Sequence, residues 1–411
     1  MNGPRLRVAI LGLNYSPEPT GIAPYTTALA QDLARRGHHV RVLAAHPHYP
    51  AWRIMDGFGG WRSTSVEHGV EVTRLLHFVP RSPTHLQRMI SELSFGVRLA
   101  LASWRRPDVV VAVSPALFAD WVVRLRLRLS FRRPGTILWV QDLYAQGMAE
   151  TGERGAGLRF VRAVESSTLR AADAVIAIHP RFSEPLARLG VRPERIRVIR
   201  NWTHVEVPDH VDRAAVRARR GWGDDETVVV HAGNIGAKQA LEYVVAAAEE
   251  ALARGERVRF VIVGDGNQAR SLRALADGVE RIEMLDPLPQ GEFAELLAAA
   301  DVLLVNERPG LVEMSAPSKL TTYFEAGTPI VAATEATSIT AEEIERSGAG
   351  IRVDPGEPKG ILEAVLTLRH DAELAARLGA AGRRYRRRSL DQQSSLEALS
   401  ALIQKVGAQG R

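Results

Sequence analysis

Unbroken apolar runs recur along the chain, each followed by a turn-rich loop and then by a stretch whose apolar positions keep helical spacing. The first run covers residues 7–13, passes through a loop of Pro and Gly, and gives way to a helical pattern over 25–36 that Gly37 closes. Residues 39–45 predict the next strand. Runs rich in Val, Ile and Ala follow at 109–113, 136–140 and 174–178, and 195–200 supplies one more, with helical patterns between them. Strands that alternate with helices and lack in-out alternation predict a parallel sheet covered on both faces.

The pattern pauses between 202 and 225, a polar stretch holding Pro208 and the charged segment DRAAVRARRGWGDDE, which predicts a linker with one short helix. A second series opens at Thr227 with VVVHAGN and continues through RFVIVGDG, IEMLDPL, DVLLVNE and PIVAAT, with helices between. The expected fold class is therefore α/β, with two Rossmann-like, doubly wound domains, residues 1–205 and 206–389, facing a central cleft. Residues 390–411 add an amphipathic helix expected to pack back on the first domain.

Composition narrows the choice of class. A chain of 411 residues suits two ordinary domains, and 45% hydrophobic with 24% charged residues sets aside disordered and fibrous proteins. With no cysteine, a disulfide framework and thiolate zinc sites are excluded. The opening run, 8–13, is too short for a signal-peptide core, and the most apolar stretch elsewhere, near 95–104, is broken by Arg98. The expectation is a cytoplasmic protein that does not cross a membrane.

The net charge of +6 rests largely on arginine, with Arg124, Arg126, Arg128, Arg132 and Arg133 in one cluster, interleaved with leucines, and Arg383, Arg384, Arg386, Arg387 and Arg388 in another. Two readings stay open: solvated helix faces whose Arg stems cover apolar surface, or attraction to an anionic membrane surface. Neither cluster belongs to a recognisable nucleic-acid module, so no nucleic-acid partner is expected.

Open α/β sheets bind ligands beyond the carboxyl ends of their strands, so candidate chemistry is sought in the loops that follow the runs. The first of these, residues 14–23, holds Tyr15, Thr20 and Gly21 and leads into a helix whose N-terminal amides suit an anion. His46 and His48 follow the second strand, and Asp142 follows the run at 136–140; a structural role stays open for each. Gly264 to Ala269 matches GxGxxA, the dinucleotide fingerprint, but it follows the second strand of its domain, after a loop holding Gly233, Asn234 and Lys238, which disfavours a dehydrogenase. The stretch SAPSKLTTYFEAGTP at 315–329 predicts a short helix with Ser318 as N-cap and Gly327 as its stop. Lys319 in its first turn suits a diphosphate, and Glu325, on an otherwise apolar helix, suits a ribose diol or an exposed helix edge. No His/Asp cluster has metal-ligand spacing.

The opening strand and its PTG loop, VQDLY at 140–144, ADAVIAI at 172–178, VIRNW at 198–202, HAGNIG, VGDG and PSKLTTYFEAGTP occur here as an ordered set. Together they resemble, over essentially the whole chain, the retaining glycosyltransferases of family 4 with the GT-B fold, in particular the bacterial polysaccharide branch. The resemblance implies that the second domain holds a nucleotide-diphosphate sugar, UDP- or GDP-linked, with no further cofactor and no metal. The base would lie near Gly264, Gly266 and Leu285, the diphosphate by Lys238, Ser318 and Lys319, and the ribose on Glu325.

Three departures from the family pattern stand out. The family's earlier glutamate, eight residues before Glu325, is replaced by Pro317, with Glu313 the nearby substitute. The arginine common on the first loop of the second domain is Asn234, and the usual histidine of the strand at 136–140 is Gln141, beside Asp142. Asn201 resembles the asparagine of the domain junction. Asp142 would orient or deprotonate the acceptor hydroxyl, with Tyr15, Thr20, His46 and His48 on the acceptor side. The expected function is a metal-independent hexosyltransferase, peripheral at the inner face of the cell membrane, that extends a lipid-linked glycan during surface polysaccharide biosynthesis. Its rivals are a GT-B nucleotide-sugar epimerase and a non-catalytic two-domain sugar-binding protein.

Overall fold

The computed structural model describes residues 4–19, 21–81, 84–130, 132–150, 154–205, 207–208, 210–311 and 318–409. It divides into two units, Met1–Asn201 with Gln392–Arg411, and Trp202–Asp391.

Unit 1 begins with β1 (Arg7–Gly12), α1 (Ala23–Arg35), β2 (His39–Ala45), β3 (Arg62–Glu67), β4 (Val70–Leu75), α2 (His85–Leu101) and β5 (Val109–Val113). It continues through α3 (Leu117–Arg128), β6 (Gly135–Val140), α4 (Tyr144–Glu150), α5 (Ala156–Ala171), β7 (Ala174–Ala177), α6 (Ser183–Arg188) and β8 (Ile196–Val198). The sheet order is β3-β4-β2-β1-β5-β6-β7-β8, parallel except where β3 meets β4. That hairpin is absent from the apolar pattern because β3, RSTSVE, is exposed along nearly its whole length.

Unit 2 comprises α7 (Arg213–Arg219), β9 (Thr227–Ala232), α8 (Glu242–Ala253), β10 (Val258–Val263), α9 (Ala269–Ala276), β11 (Ile282–Leu285), α10 (Gln290–Ala299) and β12 (Val302–Asn306). After these come α11 (Ser318–Ala326), β13 (Ile330–Ala333), α12 (Ile339–Ser347), β14 (Gly350–Val353), α13 (Pro358–His370) and α14 (Ala372–Ser389). All six strands are parallel in the order β11-β10-β9-β12-β13-β14. Val228, Val230 and Ala232 of β9 enter the core on one face, and Val229 enters the core on the other. Burial of both faces is why the strand reads as one apolar run.

The last helix, α15 (Gln392–Gln409), returns to unit 1, where it packs on α1, β5 and β6 with Leu396, Leu399, Ile403 and Val406 buried. Ser395 Oγ donates to the Arg200 carbonyl at 3.0 Å.

In each unit the strand order reverses direction once, between β1 and β5 in unit 1 and between β9 and β12 in unit 2. The loops after these strands are the places where an open α/β sheet offers a crevice to a ligand. In unit 1 a small recess there is lined by Gly12, Asn14, Ile22, Val113 and Pro115.

The first arginine cluster is only partly a free surface. Arg126 Nη1 donates to the carbonyls of Leu99, Ala100 and Ala102, at 2.9, 2.9 and 2.6 Å, and its guanidinium stacks 3.9 Å from the Trp104 ring centre. Arg124 donates to the Ser167 carbonyl at 3.2 Å and Arg133 to the Ala171 carbonyl at 2.9 Å. These three therefore satisfy carbonyls at or near helix ends, because the last turn of a helix leaves its acceptors open. Nearby, α2 exposes Leu86, Ile90, Val97 and Leu101. No helix among the described residues is long and apolar enough to cross a membrane.

Candidate functional site

In unit 2 the loops after β9, β10 and β11 are stitched into one surface. The Gly233 amide donates to the Val263 carbonyl at 2.9 Å, Ile235 to Asp265 at 2.9 Å, Gln268 to Ile235 at 3.0 Å, and Gly264 to Leu285 at 3.1 Å. Gly264 has φ +143°, and a Cβ there would lie 1.8 Å from the Gly233 carbonyl oxygen, so no other residue fits without parting the two loops. Gly266 donates its amide to Asp265 Oδ1 at 2.8 Å. Asn234 Nδ2 and the Gly236 amide both reach Gln239 Oε1, each at 3.2 Å, so Asn234 is engaged within its own loop.

Lys319 rises into this surface from the first turn of α11. Its Nζ lies 3.2 Å from His231 Nε2, while His231 Nδ1 lies 3.1 Å from the Leu304 carbonyl of β12. Burial lowers the Lys319 ammonium to about 8, against the opposing pull of Glu307. Burial and the Lys319 charge hold His231 well below the usual imidazole range. A Cβ at Gly233 would stand 3.8 Å from Lys319 Cε and 3.9 Å from Nζ, so this residue places no side chain between its turn and the ammonium. Tyr323, one turn further along α11, accepts the Ala232 amide at 2.8 Å and anchors the helix to the end of β9.

The structure thus brings Gly233, Gly264, Leu285 and Lys319 together, with Ser318 beside Lys319 as the first helical residue of α11 rather than its cap. Lys238 is exposed on the loop that follows Asn234, and its carbonyl accepts the Arg308 amide at 2.8 Å. Glu325 lies near the other end of α11, where its carboxylate pairs with Arg386 of α14 at 2.6 Å. Pro317, Glu313 and Thr20 lie outside the described residues.

In unit 1 a buried carboxylate joins two strand-end loops. Glu18 accepts Asn14 Nδ2 at 2.8 Å, the His48 amide at 2.7 Å and the Tyr49 amide at 2.8 Å. His46 and His48 are buried: His46 Nε2 lies 3.1 Å from the Gly60 carbonyl, and His48 Nδ1 lies 2.9 Å from the His46 carbonyl. Burial lowers the His46 ring below its ordinary range and raises the Tyr15 hydroxyl to about 12, with Glu67 adding to the latter. Gly21 packs on the Tyr49 ring, at 3.2 Å from where its Cβ would be.

Asp142 follows β6, half-buried, and its charge together with that of Glu18 helps raise the partly exposed Tyr49 hydroxyl, after the larger effect of burial. Asn201 Nδ2 donates to the adjacent Gln141 at 2.8 Å. The start of α4 is fixed by Glu165, which accepts the Tyr144 and Ala145 amides at 2.7 and 3.1 Å, and by Glu92 of α2, which accepts the Tyr144 hydroxyl at 3.2 Å.

Three of these residues are not singled out by sequence reasoning. His231 has a signal in hindsight, since an imidazole inside a strand buried on both faces must be hydrogen-bonded. Glu18 and Tyr49 sit in the loops already chosen, but their pairing spans about thirty residues and no local pattern encodes it.

Comparison with known proteins places the geometry in a family. Residues 20–202 match the glycosyl transferase 4-like domain and residues 226–371 the glycosyl transferases group 1 domain. The Escherichia coli protein named as a colanic acid biosynthesis glycosyl transferase, WcaI, is 31% identical over 95% of this chain and 98% of its own. Among solved structures, sucrose-phosphate synthase of Thermosynechococcus elongatus aligns with a TM-score of 0.78 at 18% identity, over 98% of this chain and 100% of that one. HepE of Anabaena, in complex with UDP, aligns with a TM-score of 0.71 at 16% identity, over 97% and 100%. The chain therefore belongs to the glycosyltransferases that join a glycosyl transferase 4-like domain to a group 1 domain, and its fold is GT-B.

Proposed function

We propose that this glycosyltransferase takes its sugar from a UDP- or GDP-linked donor held by unit 2 and passes it, with retention of configuration, to a lipid-linked glycan in surface polysaccharide biosynthesis. The observation that carries this reading is the Lys319 ammonium, fixed in the first turn of α11 at the β9/β12 switch point and lying against the Gly233 turn, which has no side chain there. A helix N-terminus with one held cation suits a diphosphate.

As the sugar's C1 bonds to the acceptor oxygen, its bond to the diphosphate oxygen breaks and the electron pair leaves with the diphosphate, which also takes the acceptor proton. Lys319, with Lys238 as second cation, offsets the charge that grows there. Glu325 holds the ribose, and the base rests by Gly264, Gly266 and Leu285. Asp142 orients the acceptor hydroxyl, with Tyr15, Thr20, His46 and His48 on the acceptor side of unit 1. The UDP complex of HepE supports the donor class, and the name of WcaI supports the polymer class. The exposed leucines of α2, with exposed Arg128 on α3, support peripheral attachment at the inner face of the membrane.

Thermal-shift screening against UDP-, GDP- and dTDP-sugars, followed by transfer of the selected sugar to a polyprenyl-diphosphate-linked glycan, tests the reading. One nucleotide should stabilise the protein, and the new glycosidic bond should keep the donor's anomeric configuration by NMR. An inverted product overturns retention, and a donor epimerised without transfer overturns the transferase reading.

A further inference from the structure

We infer that His231 is a positioning residue for Lys319, a neutral hydrogen-bond acceptor that aims the ammonium toward the Gly233 turn without cancelling its charge. The inference rests on the reading of Lys319 as the cation for the donor diphosphate and says how that cation is held.

The argument begins with the tautomer. His231 Nδ1 stands 3.1 Å from the Leu304 carbonyl, which can only accept, so Nδ1 carries the proton. The ring is buried and faces an ammonium, and both conditions keep a second proton off it. Nε2 is therefore a lone pair, and the Lys319 Nζ that stands 3.2 Å away donates to it.

An ammonium has three donors, and this bond fixes one of them. The remaining two are set in direction by it, and the neighbouring Gly233 has no side chain to occupy them. The charged group that faces Lys319 from beyond β12 is Glu307, whose two carboxylate oxygens are already taken by the hydroxyls of Thr334 and Thr340. A carboxylate in the place of His231 would hold the ammonium equally well but neutralise it. An imidazole holds it and leaves the full charge for an incoming phosphate.

The test uses the full chain with UDP and UMP, and GDP and GMP in parallel, by calorimetry, on the wild type, His231→Phe, His231→Gln and Lys319→Met. His231→Phe should lose about tenfold of the diphosphate's advantage over the monophosphate while keeping monophosphate affinity; His231→Gln, which retains an acceptor, should stay within about threefold of wild type. Diphosphate affinity should also decline at lower pH in His231→Phe than in wild type, because the ammonium has lost a partner that favours its charged form.

If Lys319→Met leaves the diphosphate advantage intact, the donor reading of Lys319 fails. If Lys319→Met abolishes it and His231→Phe does not weaken it, the positioning role alone is overturned. Should His231→Phe not fold, imidazole 1H–15N spectra of the wild type decide. A non-titrating Nδ1–H tautomer is expected, and an Nε2–H tautomer or an imidazolium overturns the inference.

Discussion

Arg386 Nε stands 2.6 Å from Glu325 Oε2, so the carboxylate proposed to hold the donor ribose already faces a guanidinium within its own unit. The pairing makes the two residues act as one. Glu325→Gln should weaken nucleotide binding by about 1.5–3 kcal/mol, the worth of a hydrogen bond to a charged group. The double change with Arg386→Gln should cost little more than the single one. Calorimetry on the three variants checks this, and unchanged affinity in Glu325→Gln removes the residue from the donor site.

The contact between Gly264 and the Gly233 carbonyl leaves no room for a methyl group, and φ at +143° disfavours any side chain. Gly264→Ala should therefore cost roughly 3 kcal/mol or more in denaturant unfolding, and nucleotide binding should fall with it as the two loops part. A variant that unfolds with wild-type midpoint would show that the loops can separate freely.

Glu92 is buried between α2, α3 and α4, and burial pushes its carboxyl from 4.5 to about 8, with Asp120 beside it also raised. The native state then holds a proton that the unfolded chain releases between those two values, so this group's contribution to stability falls as pH rises through that window and levels off above it. Glu92→Gln keeps an uncharged acceptor for the Phe118 amide, which Glu92 now receives at 3.0 Å. Relative to wild type it should be nearly neutral near pH 5 and stabilising by on the order of a few kcal/mol near pH 9. Equal midpoints of the two proteins in urea at the higher pH would mean that the native carboxyl is ionised without penalty.

Arg126 and Arg128 should behave oppositely although they are two residues apart. Arg126 closes the C-terminal end of α2 and covers Trp104, whereas Arg128 is exposed. Arg126→Ala should cost about 2–3 kcal/mol of stability. Arg128→Ala should leave stability within about 0.5 kcal/mol and reduce salt-sensitive binding to anionic vesicles. Thermal melts and vesicle co-sedimentation separate the two effects.

Strands buried on both faces are legible as nearly continuous apolar runs, and β2 and β5 coincide with their predicted spans. The exposed β3 and the half-buried edge strand β14 carry no such run and are invisible to it. At the candidate site, glycine-rich loops and a lysine in the first turn of a helix have local signatures. The arginine cluster shows the limit of that approach: its spacing looks like a charged surface, but the carbonyls that Arg124 and Arg133 satisfy lie about forty residues away in sequence. The Glu18 staple and the His231 contact to Leu304 are likewise products of the fold, not of their own segments.

The return of α15 to unit 1 sets an order of events during synthesis. All eight strands of unit 1 have been made by Val198, but the helix that covers β5 and β6 arrives only with Gln392–Gln409. Through the whole interval in which Trp202–Asp391 is translated, roughly 10–40 s at a ribosomal rate of about 5–20 residues per second, that face of the sheet stays without its cover. Unit 2, continuous in sequence, can close first, and the unit begun earliest is the one finished last.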